Sequence, residues 1–148
     1  MKWLKAIIVI CILTLTWMIC FGSQVFGTNL SEERTYSKQA GDFILHIYTE
    51  KTTHGIKVFR ALQYIGKEPI QIEHQTPLIS LSFGKRKHDF TGGTVDKVLY
   101  PGASYFPQEE MTFSAPYTKG EHPLYAEAKY MVNGERMSIK QELNLQFN

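Results

Sequence analysis

Residues 124–147 read LYAEAKYMVNGERMSIKQELNLQF, and this stretch decides the fold. Asn133-Gly134 is the preferred two-residue type I′ hairpin turn, because both residues tolerate positive φ. A two-residue loop sets Val132 opposite Glu135 and, counting outward, Tyr130 opposite Met137, Ala128 opposite Ile139 and Leu124 opposite Leu143. These apolar partners share one face, while Glu127 meets Lys140 on the other as a pair of opposite charges. The inward set continues through Leu145 and Phe147. Two independent patterns, apolar and ionic, therefore select the same antiparallel register.

Working back from the hairpin, alternating apolar positions in short segments broken by Gly and Pro recur from Gly41 onward. They predict strands at 42–49, 55–65, 69–74, 78–83, 94–100 and 110–114. Gly66-Lys67-Glu68-Pro69 and Gly92-Gly93 supply turns between them. Residues 56–65 are apolar on both parities, which fits either a central strand covered on both faces or a bulge near Arg60. No stretch of ten residues has helical periodicity. Seven or eight short strands over residues 41–148 predict an all-β, Ig-like antiparallel β-sandwich, without the Cys, Trp, Cys core of antibody domains.

Residues 28–40 are polar and lack an apolar face, so they read as a flexible tether. Residues 1–27 differ from everything that follows. Lys2 and Lys5 precede an uncharged apolar run, Ala6 to Phe21, and then Gly22, Ser23 and Gln24. This is the pattern of a signal peptide cleaved before Thr28, or of an uncleaved membrane anchor. Either places the following domain outside the cytoplasm, secreted or anchored. Cys20 follows a bulky Ile19, which disfavours lipid attachment.

Of the 16 basic residues, Lys2 and Lys5 lie in the leader, leaving 14 against 14 acidic ones. A formally neutral domain lacks the positive field that nucleic-acid binding needs. Both cysteines, Cys11 and Cys20, also lie in the leader, so the exported part has no disulfide. That absence points to a bacterial rather than a eukaryotic secreted protein. With 43% hydrophobic and 20% charged residues, the composition is that of a globular chain, not a disordered or polytopic one.

No motif for nucleophilic hydrolysis is present, and Glu109-Glu110, being adjacent on extended chain, point to opposite faces and cannot converge on one substrate. Gly92-Gly93 lacks the Lys and helix of a phosphate loop. His46, His54, His74, His88 and His122, with Met111, Met131 and Met137, are the candidate ligands for a soft metal, but no ligand spacing links them. His46 and His74 could meet if their strands share a sheet. No cofactor, metal or catalytic residue is therefore expected. Two clusters are candidates for partner contact: Lys85, Arg86, Lys87 and His88 in a basic loop, and the aromatic set Tyr100, Tyr105 and Phe106.

The segments ALQYIGKEPIQIEH (61–74), VLYPGASY (98–105) and 123–147 resemble small exported Ig-like proteins of bacilli. They are more distantly similar to the intracellular proteinase inhibitor family, in which an apolar strand leads to a Leu-x-Pro-Gly turn, as at Leu99-Tyr100-Pro101-Gly102. The resemblance implies the Ig-like fold. The chain departs from the inhibitor pattern at residues 85–94, which are short, basic and without Trp. The expected function is thus a noncatalytic domain that binds another envelope or extracellular protein, touching membrane only through an uncleaved leader. Protease inhibition through an exposed loop such as 85–93 or 100–110, and metal carriage by His and Met, are the alternatives.

Overall fold

The computed structural model describes residues 28–148, so the leader lies outside the described residues. Ten strands follow one another: β1 (Arg34–Ala40), β2 (Phe43–Thr52), β3 (Gly55–Tyr64), β4 (Ile70–Gln75), β5 (Ile79–Phe83), β6 (Thr94–Leu99), β7 (Ser104–Tyr105), β8 (Met111–Ser114), β9 (Gly120–Val132) and β10 (Glu135–Phe147). They form two antiparallel sheets packed face to face, an Ig-like β-sandwich. One sheet runs β1-β2-β3-β7, with β8 also on β3; the other runs β10-β9-β4-β6, with β5 also on β9.

The hairpin has the predicted register. Val132 pairs with Glu135, Tyr130 with Met137, Ala128 with Ile139, Glu127 with Lys140 and Leu124 with Leu143. Asn133 and Gly134 have φ of 51° and 81°, as a type I′ turn requires. The two strands extend further than the apolar pattern alone suggests, to Gly120 opposite Phe147. From the inner faces Leu45, Ile47, Ile56, Leu62, Ile72, Ile79, Leu124, Ile139 and Phe147 build one core.

Residues 34–40, expected within a flexible tether, instead form β1, paired along its whole length with β2. Ahead of it, Leu30 is buried and bridges to Phe147, while Asn29 and Asn148 exchange backbone hydrogen bonds at 3.1 and 2.9 Å. Thr28 is also buried, its hydroxyl donating to the Pro116 carbonyl. The N-terminal segment thus touches the second sheet at residues 29–31 and joins the first at 34–40, closing one side of the sandwich. As an edge strand, β1 turns only Tyr36 and Ala40 toward the core, which is why it carries no alternation of apolar residues.

β3 settles the ambiguity of residues 56–65. Its pairing with β2 runs unbroken from Gly55 to Tyr64, so there is no bulge at Arg60. Even-numbered residues face the core, and Arg60 is among them, 7% exposed between Val58 and Leu62. Odd-numbered Phe59 and Ala61 are on the outer face, where Ala61 is buried and Tyr48 packs against Phe59 at 5.8 Å between ring centres. β7 and β8 meet β3 at residues 62–63 and 55–58 only, which leaves residues 59–61 without a strand on that side.

Candidate interaction surface

The basic loop does not project. It lies as a strap along the outer face of β9, its alternate residues matched to alternate residues beneath. The Arg86 guanidinium sits 5.0 Å from the Tyr125 ring centre and pairs with Glu142 at 2.5 Å. Lys129 Nζ lies 4.4 Å over the Phe90 ring. Between these two contacts His88 is half-buried beside Glu127. The Asp89 amide donates to Ser80 Oγ at 3.4 Å, fixing the strap to β5. Lys85 and Lys87 remain exposed.

Under the strap Glu127 is buried, although its parity places it on the outward face. Its Oε1 accepts from Ser138 Oγ at 3.2 Å and lies 3.6 and 3.7 Å from Lys129 and Lys140 Nζ. The Glu127–Lys140 pair read from the hairpin register is therefore present, but in a covered site rather than a solvated one. A buried carboxylate needs such partners, because desolvation otherwise disfavours its charged form. Burial is also the leading cause that holds the His88 imidazole below its ordinary pKa, reinforced by Lys129 and Lys140 and opposed by Glu127.

Where the strap ends, a groove of about 490 Å³ opens across the outer face of the second sheet, with Glu73, Gln75, Phe90, Thr94, Lys129 and Arg136 in its lining. Both charge signs are present. Gly92 closes the strap against the Thr76 backbone: Gly92 N donates to Thr76 O at 2.8 Å and Thr76 N to Gly93 O at 2.9 Å. A Cβ at Gly92 would stand 2.3 Å from Thr76 O, so only glycine fits. The hairpin register contained the signal for the groove, since Lys129, Met131, Arg136 and Ser138 all share its outward parity. The signal for the strap was Phe90, one apolar side chain in a polar loop.

From Gly93 the chain enters β6, the outermost strand of the second sheet, paired with β4 alone. Thr94 to Val98 are exposed on both faces, including Val95 at 36% and Val98 at 46%. β6 then ends in the predicted turn, where the Ala103 amide donates to Tyr100 O at 3.0 Å.

The aromatic set divides here. Tyr100 and Phe106 are 62% and 68% exposed, whereas Tyr105 is half-buried: its hydroxyl lies 3.1 Å from His74 Nε2, and Lys97 Nζ lies 5.3 Å over its ring. The basic and aromatic clusters are not brought together, because the strap covers β9 and β10 while Tyr105 belongs to the other sheet.

The histidines are likewise dispersed. His46 is on the outer face of the first sheet, bonded to Ser37 Oγ at 2.7 Å and Gln63 Oε1 at 2.9 Å, whereas His74 is buried on the inner face of the second. They do not share a sheet. Among the described residues no three His, Cys, Asp or Glu side chains converge on one point.

No protein-family model matches the chain, and no curated protein matches its sequence. Among solved structures it is similar to the GAE domain of GGA2p from Saccharomyces cerevisiae, at 15% identity and a TM-score of 0.42, over 77% of this chain and 97% of that one.

Proposed function

We propose that this chain is an exported, noncatalytic binding module that takes an extended segment of another envelope or extracellular protein onto the free edge of β6. The observation that carries the reading is the state of β6. Five of its six residues are exposed, two of them valines, and among the described residues no strand covers its outer edge. Such an edge presents unpaired backbone donors and acceptors, and proteins that do not use one blunt it with a bulge, a proline, a covering loop or charged side chains. β6 has neither bulge nor proline; its polar residues are Thr94, Asp96 and Lys97, and Lys97, opposite buried Ile72, is turned inward over the Tyr105 ring, which leaves the backbone edge itself uncovered by any strand among the described residues. Strand addition supplies affinity through main-chain hydrogen bonds and specificity through alternate side chains. The groove beside Thr94 offers a mixed-charge surface for those side chains.

Inhibition of a protease is the second reading, favoured by the exposure of Tyr100 and Phe106 on the 100–110 segment. The test places a photo-crosslinking residue at Val98, at Phe106 or at exposed Lys51 as a control, in the full-length protein in its native host. Adducts from position 98 that disappear when Val95→Lys is added support strand addition. Adducts from Phe106 alone, to a protease, would replace it with inhibition.

A further inference from the structure

Among the described residues Arg60 is the one Lys or Arg that is buried. Strand alternation leaves no choice, since with Val58 and Leu62 inward the residue between them must also face the core. Its Nε donates to Gln108 Oε1 at 3.4 Å, and the same oxygen accepts from the Ile79 amide at 3.3 Å. Gln108 thereby links β3 to β5 across the seam between the sheets, from the segment 106–110 that spans the gap between β7 and β8.

Two buried donors then remain without an acceptor, Arg60 Nη1 and Gln108 Nε2. Among the described residues no carboxylate lies within ion-pair distance of Arg60: Glu110 is engaged by Lys57 at 3.9 Å, and Glu109 is exposed. Arginine does not escape by losing its proton at physiological pH. A buried, uncompensated guanidinium is among the costliest arrangements in a protein. Water would satisfy the two donors but not the charge.

We propose that Arg60 Nη1 and Gln108 Nε2 together bind a small monovalent anion, a halide or a small carboxylate, at the seam of the sandwich. The anion completes the inter-sheet link that Gln108 begins.

The test is thermal unfolding of the full-length protein at fixed ionic strength, with gluconate replaced stepwise by chloride, bromide or acetate. Linkage predicts that Tm rises by about 3–6 °C as the ion saturates the site. Gln108→Glu places a carboxylate against the guanidinium; this variant should melt higher than the wild type in gluconate and show no anion dependence. Arg60→Met should also lose the dependence. An anion response equal in wild type and Gln108→Glu would overturn the proposal. So would a flat wild type in which Glu109→Gln creates an anion response, because Glu109 would then be the counter-charge in solution.

Discussion

The hydroxyl of Tyr105 lies 3.1 Å from Nε2 of His74, and the pair ties β7 of the first sheet to β4 of the second. His74 Nδ1–H donates to the Gln75 carbonyl at 2.8 Å, so in the neutral ring Nε2 is the acceptor and the tyrosine the donor. Tyr105→Phe keeps the ring contacts with His74 and Lys97 but leaves Nε2 buried and unpaired. We expect a loss of about 1–2 kcal/mol. Urea unfolding checks this, and an unchanged midpoint would mean that the bond does not form in solution.

Leu30 is 2% exposed and sits against Phe147 at the base of the core. Leu30→Ala should cost about 2–5 kcal/mol, the range for emptying a buried leucine site. A tether residue would cost nothing, so the same substitution measures whether residues 28–33 belong to the domain.

The Asn133-Gly134 turn needs positive φ at both positions. Gly134→Ala should destabilise by about 1 kcal/mol, while Asn133→Gly should be near neutral. The pattern to look for in denaturant is a shifted midpoint with an unchanged slope; equal effects of the two substitutions would argue against this turn type.

His88 faces Glu127, Lys129 and Lys140, and its folded pKa lies below the ordinary value. The unfolded chain therefore binds a proton more readily, and protonation favours unfolding. The stability contributed by the neutral ring is complete above about pH 7 and is lost as the pH falls below about 6.5. His88→Asn should flatten this part of the stability profile. Parallel profiles for wild type and variant, from urea midpoints between about pH 7.5 and 5.5, would assign the titration elsewhere.

The hairpin was legible because a two-residue turn admits one register, and the charges agreed with the apolar positions. β4, β5, β6 and β8 were legible from local alternation and from their flanking glycines and prolines. β1 was not, since an edge strand with one exposed face and a thinly covered inner face reads as polar on both parities. β7 is only two residues long, too short for any period. Of the candidate contacts, Tyr105 and Arg86 were placed by tertiary partners, His74 and Glu142, that lie 31 and 56 residues away in sequence. Arg60 went unphased for a related reason: its neighbours are apolar on both faces, and its partner Gln108 lies in a segment with no pattern of its own.

The reciprocal bonds between Asn29 and Asn148 place the point where the chain enters the domain at the foot of β10, with the Asn133-Gly134 turn at its head. Thirteen extended residues separate foot from head by roughly 40 Å. Leu99 pairs with Ile70, two residues from the Ile72–Val132 pair, so β6 rises toward the head and Tyr100 stands beyond its upper end. Thr28 is itself buried, so the first of the described residues is already held against the domain. A partner strand laid on β6 would thus lie along the axis from foot to head, with Tyr100 at the end remote from the point where residue 28 joins the domain.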